Sequence, residues 1–307
     1  MAQQTLTRAA LLSGAGLHSG RPARLRIEPA FAGHGIWFRR SDLTGVDNLI
    51  AATWDNVTDT RLNTCISNGF GASVSTIEHL MAALAGCGVH NALIDIDGPE
   101  VPIFDGSALP FVKAILAVGL TEQDQPIAEM QILKPVRVER DDAFAELLPA
   151  DSFMIDYQIA FDQAAIGEQS YKGDFSNGAF LRELADCRTF CRKSDVEALR
   201  EQGLALGGTY ENAIVVDGAD ILSPGGFRRA DECVRHKMLD AVGDLALAGA
   251  PIVGMYRGYK AGHALTNQLL RALFATPGAS RLVPAQGEIS KRLPGIGITQ
   301  HDLALAG

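Results

Sequence analysis

The sequence carries no excess of positive charge. Its 27 Lys and Arg stand against 36 Asp and Glu, a formal net charge of −9 over 307 residues. That balance excludes non-specific nucleic-acid binding, which needs a basic face. It leaves room for a small phosphorylated substrate held by a few local cations. Cysteine is scarce: Cys65, Cys87, Cys187, Cys191 and Cys233 are odd in number and form no CxxC pair. They argue against a disulfide framework and fit a reducing cytosol. Cys187 and Cys191 read as buried structural thiols. Long apolar runs are missing as well. The longest, Leu245 to Tyr256, is broken by Gly249, Pro251 and Gly254, so no membrane-spanning helix is expected. The run Ala9 to Leu12 is too short for a signal peptide. A cytoplasmic location is the expectation.

What is present is ordinary globular composition, 47% apolar and 21% charged, in a chain long enough for two domains. Residues 5–50 alternate between apolar and polar and carry turn signals, the pattern of strands. Ser75-Thr76-Ile77-Glu78 has the form of a capping box opening a helix to about Ala85. A buried strand at 90–97 and a helix at 109–118 follow. The polar stretch Thr121 to Glu129, with Pro126, interrupts the pattern, so domains are expected at 1–125 and 126–307. Beyond it, strands are expected at 131–140, 144–148 and 153–161, then helices at 178–186 and 195–202. A glycine-bounded apolar loop spans 203–208, and a strand covers 212–216. A long helix at 231–247, a strand at 252–256 and a helix at 264–274 complete the pattern, with a loop-like tail from Pro277. Each half reads strands, helix, strand, helix. The expected fold class is therefore α+β: two similarly built two-layer α/β sandwich domains facing each other, with a site in the cleft.

The most informative stretch is Val234 to Leu245. Met238, Leu239, Val242 and Leu245 recur at helical spacing, which puts His236 and Asp240 on one face and Asp244 a turn further on. An imidazole and a carboxylate so placed can hold two corners of a metal shell, or can be a solvated pair. His79, beside Glu78, is a candidate third ligand. A carboxylate next to a metal-ligating His is placed to take a proton from water. Equally, Glu78 serves as the capping partner of Ser75. His263 opens the last helix, where the positive helix end disfavours an imidazolium, so an acid role needs a carboxylate partner such as Asp244. Thr189 can donate to a developing oxyanion or cap a local turn. Val196, Leu199, Ala205 and Val215, with Gly208, can line an apolar groove or be ordinary core.

Glu78-His79-Leu80, Asp105-Gly106-Ser107, Cys187-Arg188-Thr189-Phe190, Gly203 to Gly208, Arg235 to Asp244 (RHKMLDAVGD) and Lys260 to His263 (KAGH) occur in this order, after Gly16 to Gly20 (GLHSG) near the start. This set resembles the UDP-3-O-acyl-N-acetylglucosamine deacetylases, zinc amidases of lipid A biosynthesis, from about Thr5 to Phe274. The resemblance implies zinc on His79, His236 and Asp240, with iron(II) compatible with the same ligands. It implies Glu78 as general base, His263 as the group stabilising or protonating the tetrahedral species, Asp244 orienting it, and Thr189 holding the oxyanion. It also implies Lys237 beside the diphosphate and sugar, Phe161 near the nucleotide, and an acyl passage running from about Phe190 to Val215. Departures from the family pattern fall at Cys191, Arg192 and Lys193, where a Gly and an apolar pair are usual. They also fall at Gln163-Ala164, in place of His-Pro, and at Ala143, in place of a Lys. Phosphate contacts then fall to Lys237, Lys260 or Arg140. The expected partner is one acylated UDP-sugar, bound by a monomer, and the products are acetate and the 2-amino sugar nucleotide. A catalytically idle sugar-nucleotide or acyl-chain binding protein on the same fold, or an amidohydrolase with another substrate, are the competing readings.

Overall fold

The computed structural model describes residues 1–298 and 302. The rest of the tail, including His301, lies outside the described residues. In the first half, five strands form one sheet in the spatial order 10–15, 22–29, 92–96, 36–40, 49–51. Strand Ala92–Ile96 lies at its centre, antiparallel to Pro22–Pro29 and parallel to Ile36–Arg40. The alternating burial of Pro22–Pro29 and Ala92–Ile96 turns one face of the sheet inward. Against it lie helices α1 (Glu78–Gly86) and α2 (Leu109–Val118). All of α1 except Ala85 is buried, as expected of a helix covered on both sides.

The second half is built around strand Ile252–Tyr259. Phe144–Leu148 pairs with it antiparallel, and Phe153–Ala160 and Ala128–Ile132 each pair with it in parallel. The whole sheet has seven strands. The helices of this half are the short α3 (Ala179–Glu183) and α4 (Lys193–Glu201), the long α5 (Glu232–Ala246), which precedes the central strand, and α6 (His263–Ala275), which follows it. A four-residue helix, α7 (Gly287–Ser290), comes last. The mixed α+β class expected from the sequence is the class observed.

Helices α1 and α5 meet backbone to backbone. A Cβ on Gly243 of α5 would overlap the Glu78 carbonyl oxygen of α1, so only glycine permits the approach. This seam joins the two halves and carries the site.

Four local expectations need correction. Ser75 does not cap α1: the helix starts at Glu78 with no side-chain cap, and the Ser75 hydroxyl donates to the Pro99 carbonyl instead. Thr76, between them, has φ +58. This left-handed turn, strained for a β-branched residue, breaks the box geometry. The polar stretch from Thr121 does not interrupt the strand pattern: Leu120–Pro126 pairs antiparallel with Ala2–Leu6 at the start of the chain. Pro135 divides the strand expected over 131–140 into Ala128–Ile132 and Val136–Arg140. The tail is not all loop either, since Ser280–Pro284 adds an antiparallel edge strand to Ala128–Ile132. Glu168–Asp174 also forms a strand, with none of its side chains buried.

Candidate active site

His236 and Asp240 lie one turn apart on α5, and the α1–α5 seam brings His79 to them. The ring nitrogens and carboxylate oxygen of His79, His236 and Asp240 all fall within 4.8 Å of one another, and all three residues are buried. Asp240 Oδ1 is 3.3 Å from His236 Nε2 and 3.5 Å from His79 Nε2. The two imidazoles meet edge to face at 5.0 Å. Burial pushes the His236 pKa down to about 3, so its ring is neutral. Its Nδ1 faces the Cys187 carbonyl oxygen at 3.0 Å. The proton therefore sits on Nδ1 and the Nε2 lone pair is free, as a metal ligand requires. Burial resists ionisation of Asp240, but the Lys237 ammonium, which donates to Oδ2 at 2.6 Å, helps outweigh it, and the carboxyl is held well below its usual range. Two imidazoles and one carboxylate, converging within 4.8 Å of one another, fit a divalent metal with one position left open.

Glu78 sits beside this triad at the first position of α1. Its Oε2 accepts the Thr64 backbone N–H at 3.0 Å. Burial pushes its pKa up, which makes the carboxylate a stronger base than an exposed one. His263, the first residue of α6, is the opposite case. Burial would lower its pKa, but Asp244 Oδ2 lies 2.8 Å from its Nδ1, with Glu78 and Asp240 close by, and the pKa is raised to about 9. The carboxylate partner that an imidazolium needs at a helix start is in place. Asp244 Oδ1 in turn accepts the Thr64 hydroxyl at 2.6 Å.

Thr189 is clamped by its backbone. Its N–H donates to the Gly106 carbonyl at 2.8 Å, and its own carbonyl accepts from Ile214 at 2.8 Å. The Arg188 guanidinium beside it pairs in bidentate fashion with buried Glu232, at 2.9 and 3.1 Å. That pair fixes the Cys187–Thr189 turn from behind. From this turn a cavity of about 400 Å³ runs away from the triad, with Thr189, Phe190, His236 and Lys237 at its inner end. Phe161 stands edge to face with Phe190 at 5.4 Å. Val196 and Leu199 of α4, together with Ala205, Gly208 and Val215, line the remainder.

Lys260 is not brought to the cavity. Its ammonium is engaged by Asp142 at 2.6 Å on the surface. Arg192 and Lys193 border the cavity but are paired, Arg192 with Asp195 at 2.6 Å and Lys193 with Asp217 at 3.1 Å. The motifs gave no sign of Thr64, the Cys187 carbonyl, or the Arg188–Glu232 pair as parts of the site. Only the carbonyl and the pair neighbour a motif that was singled out.

A buried cluster of two histidines and one carboxylate that could hold a metal, flanked by a carboxyl of raised pKa and an imidazole paired with a second carboxylate, is the arrangement expected of metal-dependent hydrolases. A family model describing UDP-3-O-acyl N-acetylglycosamine deacetylases matches residues 3–275. A protein of Phenylobacterium zucineum (strain HLK1) named UDP-3-O-acyl-N-acetylglucosamine deacetylase is 50% identical over 92% of this chain and 96% of its own length. Proteins of the same name from Idiomarina loihiensis and Myxococcus xanthus are 48% and 46% identical, over 92% and 98% of this chain and 92% and 95% of their own lengths. The chain belongs to the UDP-3-O-acyl N-acetylglycosamine deacetylase family. No helix among the described residues is long and apolar enough to cross a membrane.

Proposed function

We propose that the protein hydrolyses the N-acetyl amide of a UDP-3-O-acyl-N-acetylglucosamine, releasing acetate and the free amine, as a cytoplasmic, monomeric enzyme of lipid A biosynthesis. The observation that carries this reading is the continuity of the metal triad with an apolar groove: His236 belongs to both, and Thr189 and Phe190 line the groove beside it. His79, His236 and Asp240 hold the metal, and the donor set suits zinc, with iron(II) as the alternative. A bound metal supplies Lewis acidity, acidifying water and polarising the amide carbonyl. Glu78 takes the proton from the attacking water. The Thr189 hydroxyl, which makes no hydrogen bond among the described residues, donates to the carbonyl oxygen as negative charge gathers there. His263 faces that charge as an imidazolium and gives its proton to the departing nitrogen. Asp244 keeps the ring charged and aimed. The acyl chain lies along Phe190, Val196, Leu199, Ala205, Gly208 and Val215. Lys237 and Phe161 stand where the sugar nucleotide enters, and Lys260 reaches it only after releasing Asp142. On this reading the chain divides near residues 125–126, with the substrate between the halves.

The test is acetate release from the UDP-sugar with and without its 3-O-acyl chain, run alongside metal analysis. Release from the acylated compound with one equivalent of metal supports the reading. Tight binding of the compound without any release favours a binding protein on the same fold. Equal release from both compounds points to a different substrate.

A further inference from the structure

Thr64 lies in the loop before strand Cys65–Ser67 and is 2% exposed. It is not a metal ligand, and nothing places it in contact with substrate. Its backbone N–H donates to Glu78 Oε2 at 3.0 Å, and its hydroxyl donates to Asp244 Oδ1 at 2.6 Å. Its carbonyl accepts from the Ile77 N–H at 3.4 Å, at the start of α1. One residue thus spans the carboxylate on α1 and the carboxylate on α5 that orients His263. Each bond occupies one oxygen of its carboxylate. Among the described residues Glu78 Oε1 has no hydrogen-bond partner, which leaves it for water, and Asp244 keeps Oδ2 for His263 Nδ1.

We propose that Thr64 is a positioning residue that locks the proton acceptor and the proton donor of the reaction into one register. This rests on the roles assigned above to Glu78 and His263. The two groups sit on different helices, and no hydrogen bond joins them directly. Without a common anchor each carboxylate has a free rotation about its last torsion, and proton transfer is sensitive to small misplacements. A short hydrogen bond to a buried carboxylate is of the charge-assisted kind, strong enough to select one rotamer.

Thr64→Val keeps the shape and the backbone N–H and removes only the hydroxyl. The expected result is a fall in kcat of roughly ten- to a hundredfold with KM nearly unchanged. Metal content should stay at one equivalent, and Thr64→Ser should restore most of the rate. A second readout is independent of turnover. The His263 Nδ1 proton should give a strongly deshielded NMR signal in wild type and Thr64→Ser, moved or lost in Thr64→Val. If Thr64→Val, folded and metal-loaded, turns over at the wild-type rate with that signal unmoved, the proposal is overturned. A lower melting temperature with unchanged kcat per metal-loaded molecule makes Thr64 merely structural and overturns it too. Glu78→Gln run in parallel separates the two failures: if it remains fully active, the reading of the site is wrong, whereas if it is dead while Thr64→Val is normal, only the role of Thr64 falls.

Discussion

The α1–α5 seam and the groove beside it solve opposite problems. The seam buries Glu78, His79, His236, Asp240 and Asp244 with backbones in contact, and Glu78 Oε2, His236 Nδ1, Asp240 Oδ2 and both Asp244 oxygens have hydrogen-bond partners. The groove is half-open, apolar, and edged by exposed ion pairs such as Arg192–Asp195. Chemistry needs the first, because unpaired charge in a dry site is costly and small displacements matter. Recognition of a flexible chain needs the second, where burial of methylenes is non-directional and tolerant. Substitutions in the seam should therefore alter rate and metal, and substitutions in the groove should alter substrate preference.

Glu78→Gln gives the sharpest break. It should lower kcat by about 10²- to 10⁴-fold while leaving one bound metal, measured by acetate release and metal analysis. His236→Ala should lose the metal as well. Next comes Gly243→Ala, which touches no ligand. Its methyl meets the Glu78 carbonyl, a backbone group that cannot turn aside. It should cost about 1–3 kcal/mol of stability in denaturant unfolding and weaken metal binding in a competition titration. Should Gly243→Ala bind metal as wild type does, the seam is more plastic than its geometry implies. In the groove, Leu199→Glu should raise KM for the acylated substrate about tenfold, with unchanged metal content and melting temperature.

The pH dependence sharpens the comparison within the buried part. On the proposed roles, activity requires Glu78 ionised and His263 protonated. Burial raises the Glu78 pKa, so the acid limb should lie above the ordinary carboxylate range, and the basic limb should fall near pH 9. Asp244→Asn should move that basic limb to lower pH. His90 supplies the contrast. It is half-buried, its Nδ1 accepts the Gln4 backbone N–H at 3.1 Å, and desolvation lowers its pKa to about 4. Its folded pKa lies below the unfolded value of about 6.5, so the unfolded chain binds the proton more readily. Stability is full above pH 6.5, declines as pH falls toward 4, and has no further contribution from this group below that. A melting-temperature series for wild type against His90→Gln should show the smallest of these effects, confined to that window.

How legible all this was in the sequence depends on what kind of group carries it. His236 and Asp240 could be read directly, because helical spacing alone puts them on one face. The need of His263 for a carboxylate followed from its place at a helix start. His79 was ambiguous locally, since its partnership with α5 is tertiary and depends on Gly243. The Cys187 carbonyl and the Thr64 N–H are backbone groups and carry no residue signature. The capping box failed because its two-residue spacing ignored the left-handed turn at Thr76, which Asn63 and Glu100 stabilise through hydrogen bonds. Strands 168–174 and 280–284 were missed because they have no buried side chains to give an apolar rhythm.

The Cys187 carbonyl has one more consequence. The peptide that sets the tautomer of His236 lies two residues from Thr189, within a single clamped turn. On the proposed roles, a ligand held by Thr189 would pull on the same backbone that orients His236, and a metal held by His236 would stiffen that turn. Occupancy at one end and affinity at the other are then linked, with equal coupling in both directions. In such a protein, the apparent strength of a groove ligand depends on how fully the metal is loaded.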